Sequence, residues 1–240
     1  MIRIGLLGYS GRMGHAIAEE ISGSKACKLV GGVVRQMKPE HKKIKDILLT
    51  TDAEEVIKAS DVVIDFTFAL ATPGYAQLAA AKGKPFVSGT TGLSTEGMAA
   101  LKTAAKKIPL LYAPNTSLSL AVMKQVTKLA AELLSGLDYD IAITDEHHRM
   151  KKDMPSGTAK ALGEAVLKGN EGEKQPTYAS IRAGHIIGNH EVGFFGEGEV
   201  IRLHHSVTDR RIFARGAVQA ALWLMGKPKG FYSMDNVLGI

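Results

Sequence analysis

The first half of the chain alternates short apolar runs with amphipathic segments that open on capping residues. This alternation is typical of a parallel β-sheet whose strands are joined by crossover helices. The predicted strands are Ile2 to Leu7, Lys28 to Val34, Asp61 to Phe66, Pro85 to Val87 and Leu110 to Tyr112; the predicted helices are Met13 to Ile21, Asp52 to Ala59, Pro73 to Ala81 and Ser94 to Lys107. We therefore expect an α/β fold with a doubly wound parallel sheet.

The pattern changes after residue 117. The second half predicts two helices, Leu118 to Leu134 and Thr158 to Leu167. It also predicts four extended segments, Tyr139 to Glu146, Tyr178 to Arg182, His190 to Phe195 and Glu199 to Val207, the last two joined by a hairpin turn at Gly196-Glu197-Gly198. We expect residues 118–215 to form an inserted α+β domain that binds substrate and forms the oligomer. Because the apolar helix Phe213 to Met225 follows this sheet, residues 216–240 are predicted to rejoin residues 1–117 in the first domain.

Composition and charge exclude several classes of protein. The hydrophobic share of 45% and charged share of 22% are those of an ordinary globular protein. The net charge of +6 is spread over small groups such as Lys42, Lys43 and Lys45, with only 6% aromatic residues, so a solvated surface or a small anionic ligand is favoured over nucleic acid. A single cysteine, Cys27, excludes an internal disulfide, and no apolar run reaches membrane-span length. We expect a cytoplasmic protein with no membrane or nucleic-acid partner.

The first predicted strand leads directly into the glycine-rich segment Gly8-Tyr9-Ser10-Gly11-Arg12-Met13-Gly14 and then into a helix. In a dinucleotide-binding turn, glycines allow the tight bend and the close approach of the backbone to pyrophosphate, and the helix N-terminus offers free N–H groups. The spacing is GxxGxxG rather than GxGxxG, so a plain Gly-rich turn is the alternative. Strand before and helix after favour a Rossmann-like nucleotide site.

Arg35 stands where the second strand ends, at the position where NAD-binding domains carry an acid for the ribose hydroxyls. An arginine there suits the 2′-phosphate of NADPH, so NADPH is favoured and NADH remains possible. The alternative for Arg35 is a solvated loop residue. We also expect the segment that follows, Gln36 to Lys45, to be a mobile loop. A second turn, Gly89-Thr90-Thr91-Gly92, follows a strand at its carboxyl end, where ligands of open α/β sheets bind.

The segment from Glu146 to Ala159 combines proton-transfer groups with cations immediately before a helix. Ser156 is a candidate N-cap, and the N–H groups of Gly157 and Thr158 would then form an anion site. His147 can exchange protons near neutral pH, and Lys151 can donate a proton or neutralise an anion. We infer a small acid as the substrate.

Other interpretations of this segment stay open. Ser156-Gly157-Thr158 can be a helix cap only, and the charges can belong to a solvated basic loop. Histidines can bind a metal, as in a metal-dependent hydrolase, although no H-E-x-x-H or similar spacing is present and we expect no metal. A nucleotide-sensing module without turnover is a further possibility. The candidate metal ligands are His147, His148, Asp153, His185, His190, His204 and His205.

Four motifs resemble the dihydrodipicolinate reductase (4-hydroxy-tetrahydrodipicolinate reductase) family, and the likeness continues in order through Gly188-x-His190 and Phe213-Ala214-x-Gly216-Ala217 to Gly230-Phe231-Tyr232. They are Gly8-x-x-Gly11-Arg12-Met13-Gly14, Ile64-Asp65-Phe66-Thr67, Gly89-Thr90-Thr91-Gly92 and Glu146-His147-His148-x-x-Lys151-x-Asp153-x-Pro155-Ser156-Gly157-Thr158-Ala159. The resemblance implies reduction of a cyclic dicarboxylate by NADPH or NADH with loss of water, in the diaminopimelate route to lysine. Another NAD(P)-dependent amino-acid or semialdehyde dehydrogenase is the alternative.

The resemblance also implies roles for individual residues. His147 and Lys151 match the family's proton-transfer residues, and His148, Ser156, Gly157 and Thr158 match substrate-binding positions. Thr91 lies where the family contacts both ligands. A homotetramer built through the substrate domains is implied as well. The positions that match cofactor contacts are Gly8, Tyr9, Ser10, Gly11, Arg12, Met13, Arg35, Phe66, Gly89, Thr90, Thr91, Ala113, Pro114, Asn115 and Thr116.

Overall fold

The computed structural model of the protein describes residues 1–39 and 47–240. Two compact units are present: Met1–Ser117 with Arg211–Ile240, and Leu118–Arg210. The second segment of the first unit thus begins at residue 211 rather than at the predicted residue 216, because the helix expected from Phe213 already starts at Arg211. Lys42, Lys43 and Lys45, and most of the expected loop from Gln36 to Lys45, lie outside the described residues.

The first unit is an α/β layer structure. Its strands are β1 (Ile2–Leu7), β2 (Cys27–Val33), β3 (Leu48–Thr50), β4 (Val62–Asp65), β5 (Phe86–Ser88), β6 (Pro109–Tyr112) and β11 (Gly230–Tyr232). Its helices are α1 (Arg12–Ser22), α2 (Ala53–Ala59), α3 (Thr72–Ala81), α4 (Thr95–Ala105), α7 (Arg211–Leu224) and α8 (Met234–Leu238). Every strand pairing in this sheet is parallel, which confirms the predicted parallel sheet.

The strand order in this sheet is β3-β2-β1-β4-β5-β6-β11. From β1 the chain adds β2 and β3 on one side and β4, β5 and β6 on the other. The boundary between β1 and β4 is therefore the switch point at which doubly wound sheets bind ligands. Helices α1 and α7 pack together on one face, and α2, α3 and α4 pack in sequence on the other. All four residues of β4 are buried, as expected for a strand covered on both faces.

The second unit has a four-stranded mixed sheet covered by two helices. Its elements are α5 (Leu118–Leu133), β7 (Asp140–His147), α6 (Gly157–Gly169), β8 (Thr177–Arg182), β9 (Asn189–Gly196) and β10 (Glu199–Ser206). The order is β10-β9-β7-β8, with β7 parallel to β8 and the other pairs antiparallel. The predicted hairpin joins β9 to β10 through Glu197 and Gly198, and Gly198 has a φ of 81° that favours glycine.

Burial alternates along β7, so its two faces differ. Ile141, Ile143, Asp145 and His147 point to the face that carries the core of this unit, where Val192 and Phe194 pack against α5 and α6. Ala142, Thr144 and Glu146 point to the opposite face. The buried face therefore continues from an apolar core into a polar end, which carries the candidate catalytic histidine.

Three short elements were not predicted: β3, β11 and α8. The two strands have three residues each and pair only with β2 and β6, so their strand conformation depends on pairing rather than on a local pattern. α8 has five residues and a capping box between Ser233 and Asn236. No helix among the described residues is long and apolar enough to cross a membrane.

Candidate functional site

The glycine segment after β1 forms the expected tight turn into α1. Gly8 has a φ of 89°, and the backbone N–H groups of Gly8 and Tyr9 donate to the Val33 carbonyl at 3.2 and 3.0 Å. A Cβ on Gly14 would lie 2.2 Å from the Gly8 carbonyl oxygen, so only glycine fits where the helix crosses the turn. Gly11 is the N-cap of α1 and has no side chain with which to cap it. The turn can therefore present backbone N–H groups to a phosphate.

Asp65 connects the end of β4 to the second glycine turn. Its buried carboxylate accepts hydrogen bonds from the hydroxyls of Thr67, Thr72, Ser88 and Thr90, at 2.6 to 3.1 Å. Burial raises the pKa of Asp65, although the four hydroxyls act in the opposite direction. These contacts hold the loops after β4 and β5 together, so Asp65 shapes the edge on which the expected cofactor residues lie.

The other expected cofactor residues follow strands of the same sheet. Phe66 follows β4, and a Cβ on Gly89 would lie only 2.1 Å from the Phe66 ring, which shows how closely this side chain covers the turn after β5. Ala113 to Thr116 follow β6, and the Thr116 hydroxyl donates to the Phe213 carbonyl at 2.7 Å. Because carboxyl ends of parallel strands share one edge, these loops and the glycine turn lie along it.

Arg35 is exposed just beyond the end of β2. Its guanidinium carbon lies 5.8 Å from the centre of the Phe68 ring, which is 51% exposed. This distance is within the range of a cation–π contact. The Arg35 guanidinium can donate hydrogen bonds to a phosphate at this edge, and the exposed Phe68 ring offers an apolar surface beside it.

Ser156 caps α6 as predicted, since its hydroxyl accepts from the Ala159 N–H at 3.1 Å. The N–H of Gly157 donates to the carboxylate of Asp153 from the preceding loop, and this bond contributes to lowering the pKa of Asp153 against the effect of burial. The Nζ of Lys151 lies 2.8 Å from the same carboxylate. The predicted anion site thus holds a carboxylate of the protein itself, which a bound acid would have to displace.

His147 is buried at the end of β7, where its Nδ1 lies 3.0 Å from the Asp145 carboxylate. Burial lowers the pKa of His147, the nearby Lys151 charge lowers it further, and Asp145 partly opposes both. The imidazole is therefore largely neutral at pH 7. Neutral histidine close to a lysine ammonium is a suitable pair for moving a proton to a bound acid.

Two more histidines lie in a row with His147. The ring centres of His147 and His190 are 5.1 Å apart, and those of His190 and His205 are 6.2 Å apart. Burial, with the neighbouring His147 and His205, lowers the pKa of His190 to about 3. Over residues 1–39 and 47–240, no group of three or more His, Cys, Asp or Glu side chains could hold a metal ion.

The structure divides the predicted site residues between the two units. The glycine turn, Arg35, Phe66, the Gly89 to Thr91 turn and Ala113 to Thr116 belong to the first unit, and Thr91 is exposed there. His147, half-buried His148, Lys151 and the start of α6 belong to the second. Asp65, Asp145 and Arg182 were not predicted as site residues. For Asp65, its position after an apolar strand was a usable signal; for the pair Asp145 and Arg182, only strand pairing brings them together.

Comparison with known proteins covers both units. Residues 2–116 match the family described as Dihydrodipicolinate reductase, N-terminus, and residues 119–238 match Dihydrodipicolinate reductase, C-terminus. The chain belongs to the dihydrodipicolinate reductase family. Among its curated relatives, the 4-hydroxy-tetrahydrodipicolinate reductases of Zymomonas mobilis and Nitratiruptor sp. are 42% and 37% identical. These alignments cover 100% of this chain and 98% and 100% of the relatives.

A solved dihydrodipicolinate reductase has the same fold. The dipicolinate-bound enzyme from Paenisporosarcina sp. TG-14 superposes with a TM-score of 0.82 over 98% of this chain and 99% of that chain, at 22% sequence identity. The predicted fold, a Rossmann-like unit with a separate α+β unit, is therefore confirmed. The resemblance that the sequence motifs indicated is confirmed by the dihydrodipicolinate reductase matches.

Proposed function

We propose that this protein reduces 4-hydroxy-tetrahydrodipicolinate to tetrahydrodipicolinate with NAD(P)H, in the diaminopimelate route to lysine. The net reaction consumes a hydride and a proton and releases water. The observation that carries the proposal is the segment from His147 to Thr158, in which a buried histidine at the end of β7, a lysine of the following loop and the capped start of α6 follow one another. Relatives named for this activity match the chain over its full length.

The residues of the first unit fit a nicotinamide dinucleotide. The glycine turn leaves no room for a Cβ at Gly14 and places the start of α1 at the switch point of the sheet, which suits a pyrophosphate. The cofactor supplies the hydride when bound. We infer that Gly8 to Met13, Phe66, Gly89 to Thr91 and Ala113 to Thr116 hold it.

The residues of the second unit fit a small dicarboxylate. We infer that the Gly157 and Thr158 backbone, with Ser156 and His148, binds one carboxylate, which replaces Asp153 at the helix start. Lys151 then loses its partner Asp153 and its ammonium faces the bound acid as a proton donor. His147 exchanges a proton with the substrate or with Lys151. Fixed donors of this kind stabilise developing negative charge without a metal ion.

The proposed function is tested by following nicotinamide absorbance with the purified protein and substrate made in situ from pyruvate and aspartate semialdehyde by the preceding synthase. We expect rapid loss of absorbance with at least one of NADPH and NADH. No oxidation of either cofactor with a working synthase would overturn the substrate. A dehydrogenase acting on another amino acid or semialdehyde would then be tested.

Arg35 is expected to favour NADPH over NADH. Because a guanidinium forms charge-assisted bonds to a phosphate, Arg35→Ala should raise the KM for NADPH about 10-fold and leave that for NADH within about 2-fold. The measurement is steady-state kinetics with each cofactor, with Lys38→Ala as a control at a nearby lysine. Equal changes for both cofactors would show that Arg35 does not contact the 2′-phosphate.

We also infer a homotetramer formed through the second unit. The sheet face opposite α5 and α6 carries Ile181 and Val200, which are 46% and 47% exposed, together with Phe195. Such a face is suited to a partner sheet. Light scattering should give the mass of four 25.6 kDa chains, and Val200→Glu should lower it. A monomer at micromolar concentration would contradict this inference.

We place the enzyme in the cytoplasm, since the lone Cys27 suits a reducing compartment.

A further inference from the structure

A buried carboxylate stands behind His147. Asp145 has no exposed surface, and its side chain contacts the His147 ring, the Arg182 guanidinium and the Ser180 hydroxyl. Strand register explains the cluster, because Asp145 is opposite Ser180 and His147 is opposite Arg182 in the β7–β8 pair. Burial alone would raise the pKa of Asp145, but the Ser180 hydrogen bond and the Arg182 charge outweigh it and lower that pKa. Asp145 is therefore an anion at neutral pH.

An ionised Asp145 determines which nitrogen of His147 carries a proton. A carboxylate can only accept, so Nδ1 of His147 must donate across the 3.0 Å contact. In the neutral ring, Nε2 then has a lone pair. Nε2 faces Gly188, where a Cβ would lie only 3.1 Å away, so the glycine leaves room beside this atom. Nε2 is the ring nitrogen on the side away from Asp145.

Arg182 connects this pair to the loop that carries Lys151. One terminal nitrogen of its guanidinium, Nη2, lies 2.9 Å from the Asp145 carboxylate and donates to the Asp153 carbonyl at 2.6 Å. The Arg182 side chain is only 6% exposed. Asp153 lies between Lys151 and the α6 start, so a single rigid, planar cation ties the histidine's partner to the anion-binding loop.

We propose that Asp145 and Arg182 are positioning residues for proton transfer. Asp145 holds His147 with one proton on Nδ1, so that Nε2 can exchange a second proton with the substrate. Arg182 holds the pair at a fixed position relative to the loop of Lys151. This role rests on the proposed function, since it describes how the same site works. Neither residue needs to touch the substrate.

The kinetic test compares Asp145→Asn with Glu146→Gln. Both replace a carboxylate by an amide at neighbouring positions of β7, but Glu146 points to the opposite face and binds Asn189. Asp145→Asn should lower kcat about 100-fold or more, with the KM for NAD(P)H unchanged within about 2-fold. Asp145→Glu, which keeps the negative charge, should restore part of the loss. Glu146→Gln should retain the wild-type kcat.

Two further readouts separate positioning from a structural role. Asp145 raises the pKa of His147, so the limb of the kcat–pH profile that reports His147 should move to lower pH in Asp145→Asn. Arg182→Lys keeps the positive charge, but the lysine ammonium ends one bond short of the position of Nη2, from which Arg182 contacts both Asp145 and Asp153. It should therefore lower kcat about 10-fold and raise the KM of the dicarboxylate. Asp145→Asn with near wild-type kcat and an unmoved limb would overturn the proposal.

An NMR measurement of the His147 tautomer tests the proposal without an activity assay. In protein labelled with ¹⁵N-histidine, with His147→Asn used to assign the ring signals, His147 of the wild type should be protonated on Nδ1 at pH 7.5. A proton on Nε2 would overturn the proposal, even if Asp145→Asn does not fold. If the wild type oxidises neither cofactor, the proposed function fails, and the His147 tautomer still decides whether Asp145 positions the ring.

Discussion

Lys151→Ala lowers kcat by about 10²- to 10⁴-fold, the range expected for the loss of a general acid. The Lys151 side chain is 25% exposed and its charge acts on His147, so it lies in the same electrostatic environment as the histidine. The proposed cofactor residues belong to the other unit, so the Kd for NAD(P)H should stay within about 2-fold. Steady-state turnover and a fluorescence titration of the cofactor measure the two effects.

The matched control is Lys152→Ala, one position along the chain at an exposed lysine. It removes the same charge from the loop, and we expect nearly wild-type turnover. The pH profile gives a second readout, because the Lys151 charge lowers the pKa of His147 and its loss should move the His147 limb to higher pH. A Lys151→Ala variant with wild-type kcat would remove this lysine from the proposed mechanism.

Gly216→Ala destabilises the first unit by about 3 kcal/mol, the upper end of typical overpacking costs. Gly216 is a buried residue of α7, and a Cβ there would lie 1.8 Å from the carbonyl oxygen of Thr116. The clash is with backbone, so it cannot be relieved by a change of side-chain rotamer. Because Thr116 is one of the proposed cofactor residues, weaker binding of NAD(P)H should accompany the loss of stability.

Gly74→Ala is the control for this substitution. Gly74 is also within a helix, α3, but it is exposed and a Cβ there would meet nothing within 4 Å. Helix propensity then dominates, and the free energy of unfolding should rise by about 0.5 kcal/mol. Urea denaturation of both variants measures the difference. Similar effects at the two positions would show that the close approach of α7 to Thr116 does not limit the residue at 216.

The elements that the sequence predicted well are those with a local signal. The glycine turn after β1 and the Ser156 cap of α6 depend on residues within about one helical turn of each other. The hairpin at Glu197 and Gly198 is equally local, because its positive φ requires a residue such as glycine. Alternation of apolar and polar positions then supplied the order of strands and helices along the chain.

The arrangement behind His147, the proposed proton-transfer residue, depends on distant residues. Asp145 and Arg182 are 37 positions apart and contact each other only because β7 and β8 pair in one particular register. Interactions of this kind involve buried charges whose partners lie outside any short window of sequence.

The sequence by itself determined the two-part organisation, the parallel sheet with its glycine turn and the Ser156 cap of α6, because periodicity, caps and turn chemistry act locally. Only the tertiary structure decided how Asp65 gathers four hydroxyls, how Arg182 contacts Asp145 and which nitrogen of His147 faces Asp145. Those features follow from strand register and burial, which bring together groups that are far apart in the chain and make their charges depend on one another.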